Sequence, residues 1–296
     1  MSKLSDEIRK NFKESDDIRD AGLVTPEDIQ RYDNILYGED PKWQILDVYR
    51  PKCFGNKRLP VIVSVHGGAW MYGDKERYQY YCMELAQRGF AVVNFTYRLA
   101  PEFKFPSPLI DCNLVFEWIL EHADQYGMDT ENVFAVGDSA GAHALSLYAA
   151  ILTNCEFAEQ FTFTVPSKLK LNAIALNCGV AKVVINQEDP RDLTAAIMKE
   201  YLPEQGTQEE LEMLSMVNHV TEEYPPTFLM TAVNDFLKME ALSMAECFTK
   251  NNVPFVYKLY GNKNEPLAHV FHCDIRTGAA KKCNDDETGF FREYMI

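Results

Sequence analysis

The stretch "NVFAVGDSAGAHALSLYAA", residues 132–150, decides the reading of this chain. Its first six residues, with Val133 to Val136 apolar, read as a strand, and "AGAHALSLYAAIL" (140–152) is a small-residue helix. Between them Gly137-Asp138-Ser139-Ala140-Gly141 matches G-x-S-x-G. A strand that turns at once into a helix leaves no room for bulky neighbours, and it lifts the serine hydroxyl above the sheet edge with a helix N-terminus behind it. Small residues also suit a purely structural turn. A serine hydroxyl is a poor nucleophile at neutral pH, so Ser139 needs a base and a group to orient that base.

Outward from this turn the chain alternates. "PVIVSVHGG" (60–68), "FAVVNFTY" (90–97), "LNAIALNCG" (171–179), "PTFLMTAVND" (226–235) and "PFVYKLYG" (254–261) read as buried strands. "YYCMELAQRG" (80–89), "SPLIDCNLVFEWILEHADQYG" (107–127) and a segment near 239–251 read as helices; Pro108 fits a first turn and Gly127 a C-terminal stop. "WQILDVYRP" (43–51) alternates and ends in proline, which predicts a half-buried edge strand. With about seven strands in all, the fold class is α/β, a mostly parallel sheet covered by helices on both faces. Residues 1–35 carry Leu4, Ile8 and Phe12 at intervals of four and predict one or two amphipathic helices. The pattern breaks between Val180 and Tyr224, a mixed insertion that reads as a lid, whose Leu211, Leu214 and Val217 should touch the body.

There are six histidines: His66, His122, His143, His219, His269 and His272. A triad on this fold runs serine, acid, histidine along the chain, which leaves His269 and His272. Both lie in "EPLAHVFHCD" after the last strand, and His269 comes first, beside the loop tip. "FLMTAVNDFL" delivers Asp235 straight after an apolar run, placed to orient an imidazole and stabilise it when protonated, or else to cap the next helix. Attack on an acyl carbonyl also needs preorganised N–H donors. "VSVHGGAWMYGD" offers the amides of Gly67, Gly68 and Ala69 after a strand, to which Ala140 would add its own.

Taken together, "HGGAW", "YRLAPEFKFPSPLID", "GDSAG", "VNDFL" and "HVF" resemble the hormone-sensitive-lipase-like carboxylesterases of the α/β-hydrolase fold, over roughly residues 44–150 and 224–272. The resemblance implies Ser139 as nucleophile, Asp235 and His269 as its partners, and an oxyanion hole at Gly68, Ala69 and Ala140. It also implies no cofactor, no metal, and a single domain over 1–296 with a cap from about 1–40 and 180–222. In that family Arg98 to Asp111 braces the site. Where members usually read H-G-G-G, this chain has Ala69. Arylformamidases share H-G-G-x-W and the "SAGAH" of residues 139–143, so a formamide is the alternative substrate; a non-catalytic small-molecule binder is a third reading.

Composition narrows the partners. A formal charge of −15 over 296 residues opposes binding to nucleic-acid phosphates or anionic lipid, and a small neutral ester fits better. The N-terminus lacks an apolar signal region and no apolar run approaches the ~18 residues of a membrane span. Eight cysteines without a C-x-x-C pair read as free thiols in a cytoplasmic protein. Composition sets no oligomeric state.

Overall fold

The computed structural model describes residues 2–296. Helix α1 (Lys3–Asp20) is opened by Ser2, whose hydroxyl accepts from the Ser5 amide. Strands β1 (Ile29–Leu36), β2 (Ile45–Pro51) and β3 (Leu59–Val65) follow, then α2 (Lys75–Ala86), β4 (Ala91–Phe95) and α3 (Ser107–Tyr126). Next come β5 (Met128–Asp138), α4 (Ala140–Thr153), the short α5 (Cys155–Ala158) and β6 (Ala173–Asn177). Helices α6 (Leu193–Tyr201) and α7 (Gln208–Leu214) occupy the insertion; β7 (Thr227–Ala232), α8 (Lys238–Lys250), β8 (Phe255–Tyr260) and α9 (Gly278–Glu293) complete the chain.

The eight strands form one sheet in the order β1-β2-β4-β3-β5-β6-β7-β8, antiparallel across β1–β2–β4 and parallel from β4 onward. Alternate residues of β3 feed two apolar layers: Val61, Val63 and Val65 face Leu109, Phe116 and Leu145 of α3 and α4, while Ile62 packs with Tyr81 and Phe291 of α2 and α9. Strand order reverses between β3 and β5, where such sheets hold ligands at their carboxyl edge.

Two expectations change. Residues 1–35 hold one helix, within the one or two expected, but the chain leaves it at Asp20 to form β1, so the sheet has eight strands and "WQILDVYRP" lies second from the edge, with six of its seven strand residues buried. The physical reason is a bulge: Asn34 adopts φ +59, its N–H donates to Asp47 Oδ1 at 2.7 Å, and the register slips between Tyr32 and Ile35. An interrupted register hides the period of two that marks a strand in sequence. Part of the 1–40 segment expected in a cap is therefore sheet. In the insertion, Leu214 is fully buried and Leu211 and Val217 pack partly against the main core, as expected. None of the eight cysteines is paired, and among the described residues no helix is long and apolar enough to cross a membrane.

Candidate active site

Val65 lies opposite Gly137 in the β3–β5 register, so the loops leaving these strands run side by side. The second loop contains Ser139 at φ +52, ψ −120, a strained region for any residue with a side chain. Its N–H donates to the Asn177 carbonyl at the end of β6, 3.0 Å away. The flanking glycines are demanded by contact: a Cβ on Gly137 would sit 2.7 Å from Gly141 backbone, and one on Gly141 would sit 2.1 Å from the Val65 carbonyl oxygen.

Beyond β7, Asn234 bridges in parallel to Ala268, and this brings the next residues of the two segments, Asp235 and His269, together. His269 Nδ1 lies 2.8 Å from Asp235 Oδ1, and His269 Nε2 lies 3.0 Å from Ser139 Oγ. The Asp235 carboxylate also accepts from Thr231 Oγ1 at 2.7 Å and from the Leu237 amide at 2.9 Å. Burial pushes its pKa up, but the hydrogen bonds from His269, Leu237 and Thr231 outweigh that and hold it at about 2. With the carboxylate ionised, Nδ1 must carry the imidazole proton, which leaves Nε2 to accept from the serine hydroxyl. The helix-capping reading of Asp235 does not hold: its contact with the Leu237 amide closes a local turn ahead of α8, whose N-cap is Leu237 and carries no side-chain cap.

His272 is not part of this chain of contacts. It is fully buried against the Tyr81 ring, and burial pushes its pKa down to about 3. Nor is Asp138, whose carboxylate accepts from Tyr78 Oη at 2.8 Å; burial raises its pKa to about 6. His66 stacks on Tyr97 at 4.1 Å, and His143 contacts the Leu214 carbonyl of α7 through Nε2 at 2.8 Å, fastening the insertion to α4.

Of the amides expected in the pocket, that of Gly67 already has an acceptor: its N–H donates to Tyr78 Oη at 3.0 Å. Gly68, Ala69 and Trp70 follow with φ of +129, +52 and +58. This left-handed run re-aims the backbone, and among the described residues the amides of Gly68, Ala69 and Ala140 have no protein acceptor. Ala69 thus holds a conformation that glycine would adopt more freely, and it keeps its donor. Tyr78, in α2, was missed because nothing in a helical segment announces a contact with a loop eleven residues upstream. Nothing in the sequence sets Thr231 apart from any other strand threonine.

Two segments lean on this loop. From α1, Arg9 donates to the carbonyls of Met71 and Ala100, and Phe12 meets Tyr72 edge-on. From α6, Tyr201 stacks on Trp70 at 5.2 Å. Behind the site, the Arg98 guanidinium pairs with Asp111, which also accepts from Gln44. A separate cleft of about 760 Å³ lies within the insertion, between Gln187 and Gln208, and no residue of the Ser139 cluster lines it.

A parallel sheet whose central strand ends in a strained serine turn, with an acid and a histidine delivered beyond later strands, defines an α/β-hydrolase. The BD-FAE family model matches residues 46–243, and the chain belongs to that family, with the fold and motifs of hormone-sensitive-lipase-like carboxylesterases. Esterase LipC of Mycobacterium tuberculosis is 36% identical over 121 residues, 40% of this chain, so the chain spans only 30% of that relative's length. The putative alpha/beta hydrolase R526 of Acanthamoeba polyphaga mimivirus is 26% identical across 84% of this chain and 77% of its own. The crystal structure of inhibited esterase B from Lactobacillus rhamnosis superposes with a TM-score of 0.89 at 27% identity, covering 99% of this chain and 97% of that one.

Proposed function

We propose that the protein is a serine carboxylesterase that hydrolyses small or medium acyl esters through an acyl-enzyme, with Ser139, His269 and Asp235 as its triad. The observation that carries this reading is the unbroken run of contacts Ser139 Oγ–His269 Nε2 at 3.0 Å and His269 Nδ1–Asp235 Oδ1 at 2.8 Å. Ser139 Oγ attacks the ester carbonyl while His269 Nε2 takes its proton. Asp235 stays ionised and steadies the imidazolium. The carbonyl oxygen, now an anion, is held by the amides of Gly68, Ala69 and Ala140. His269 returns the proton to the departing alcohol, then activates a water that attacks the acyl-enzyme and frees the acid.

The cap is α1 together with residues 180–222, because both lean on the loop that carries Gly68 and Ala69. These elements border the space above Ser139 and set which acyl and alcohol groups fit. The free thiols suit a reducing cytoplasm. The test is hydrolysis of nitrophenyl esters of increasing acyl length, beside N-formylkynurenine, by wild type and Ser139→Ala. Ester turnover that disappears in Ser139→Ala is expected. A strong preference for the formyl amide replaces the esterase reading with a formamidase, and absence of Ser139-dependent turnover refutes both.

A further inference from the structure

Cys178 is the first residue beyond β6, the strand that lies between the one ending at Ser139 and the one leading to Asp235. It holds φ +50, its amide donates to the Met230 carbonyl at 2.8 Å, and its side chain is buried beneath the site. A sulfur of Cys178, a carboxylate oxygen of Asp235 and a ring nitrogen of His269 all lie within 4.8 Å of one another. None of the steps above uses this thiol.

We propose that Cys178, Asp235 and His269 form a site for a borderline-soft divalent cation of the Zn2+ class, and that occupying it switches the esterase off. The inference rests on the triad reading of His269 and Asp235. Thiolate, imidazole and carboxylate are a donor set for Zn2+, with a fourth position left for water. Metal–ligand distances of about 2.0–2.3 Å place tetrahedral donors about 3.5 Å apart, so the three groups need to close by no more than about 1.3 Å. The His269 side chain is 20% exposed, which gives the ion a way in.

A second buried trio, Asp138, His272 and Cys273, is a poorer candidate. The Arg19 guanidinium acts on all three of its members, and a cation already present opposes a dication. No such cation bears on the Cys178 thiol, where burial and the Asp235 charge instead favour the protonated form. A bound dication reverses that preference.

On binding, the Cys178 S–H proton passes to the buffer, and the proton on His269 Nδ1 is replaced by one on Nε2. No oxidation state changes. His269 then presents an N–H to Ser139 and can no longer accept the serine proton. The site therefore inhibits by taking the base away, not by blocking substrate.

The test titrates the intact Ser139→Ala chain with Co2+, whose charge-transfer band reports a thiolate ligand, and measures Zn2+ inhibition of wild-type ester hydrolysis. One equivalent of the band is expected, together with inhibition that a chelator reverses. Cys178→Ser keeps the exposed Cys53 and Cys155, so it isolates this thiol. Relative to its own metal-free rate, it should need more than about 100-fold more Zn2+, beyond the 10–100-fold that losing an outer partner costs. Cys178→Gly, which suits φ +50, is the second variant should the serine protein not fold. An unchanged band or unchanged inhibition in whichever variant folds overturns the proposal, as does absence of the band from Ser139→Ala. If the band forms but wild type hydrolyses no ester, the metal site stands and the esterase reading falls.

Discussion

Gly141→Ala adds one methyl group at the point where the serine turn touches the amide loop. The new carbon would lie 2.1 Å from the Val65 carbonyl oxygen and 2.4 Å from that of His66. The shorter distance is about 1.3 Å inside the 3.4 Å at which ordinary contact begins. Both obstacles are backbone, so no side chain can swing aside; either the end of β3 or the start of α4 must retreat. Overpacking against adaptable neighbours costs about 1–3 kcal/mol, and a backbone obstacle belongs at or above the top of that range. Stiffening the unfolded chain returns about 0.4–1 kcal/mol, leaving a loss of about 3 kcal/mol. For a chain of 296 residues that lowers Tm by about 5 °C. The same shift moves Gly68 and Ala69 relative to Ser139, and a misplacement of about 1 Å costs on the order of 100-fold in rate. Gly289, in α9, is the internal control: a Cβ there meets nothing within 4 Å, so Gly289→Ala should stabilise by about 0.5–1 kcal/mol and leave the rate alone. Thermal denaturation and kcat/KM on a nitrophenyl ester read both variants. Gly141→Ala melting within about 1 °C of wild type, at full kcat/KM, refutes the steric account of the turn.

Two further substitutions probe buried polar groups around the same edge. Tyr78→Phe keeps the ring but strips the Gly67 amide of its acceptor and Asp138 of its donor, so it should destabilise by about 2–5 kcal/mol; a Tm within about 1 °C of wild type contradicts this. Glu287 in α9 is fully buried, and burial raises its pKa to about 7 from the ordinary 4.5, against hydrogen bonds from Asn177 and Tyr81. The native state therefore holds this proton more tightly than the unfolded one. Its contribution is fully present below about pH 4.5 and is lost as pH rises through about 7, a swing of about 3 kcal/mol. Glu287→Gln still offers Asn177 an acceptor and removes the titration. Its advantage over wild type in urea unfolding should grow by about 2.5 kcal/mol between about pH 5 and pH 8, and a constant difference rules out Glu287 as the titrating group.

What was readable in the sequence and what was not divide along a physical line. Ser139 and the glycines around it were legible because a strand-to-helix turn restricts residue type locally, through contacts as close as that of Gly141 with Val65. Asp235 and His269 were legible for a different reason. Parallel strands bring their carboxyl ends to one edge, so residues in the segments that leave those ends converge there whatever the distance along the chain. Sequence marks the ends of strands but not their order, so the pairing of Val65 with Gly137 and the bridge from Asn234 to Ala268 had to come from the fold. β1 escaped notice because the bulge at Asn34 breaks its alternation.

The contacts that were not foreseen come from side chains reaching the site from elsewhere. Tyr78 approaches from α2 and takes the Gly67 amide, and Glu287 approaches from α9 and accepts from Asn177, whose carbonyl in turn holds the Ser139 amide. A tyrosine or glutamate on a helix carries no local sign of which loop it will meet. Cys178 is an intermediate case: it is a strand-end residue at the correct edge, but a lone buried thiol ordinarily only packs, and its sequence context does not set it apart from the other free cysteines. The edge rule that identified Asp235 and His269 applies to it equally. Chemistry-bearing residues in the segments that leave each parallel strand therefore belong in the candidate set even when a candidate triad is already in hand, and in this chain that rule adds Cys178 beside Asp235.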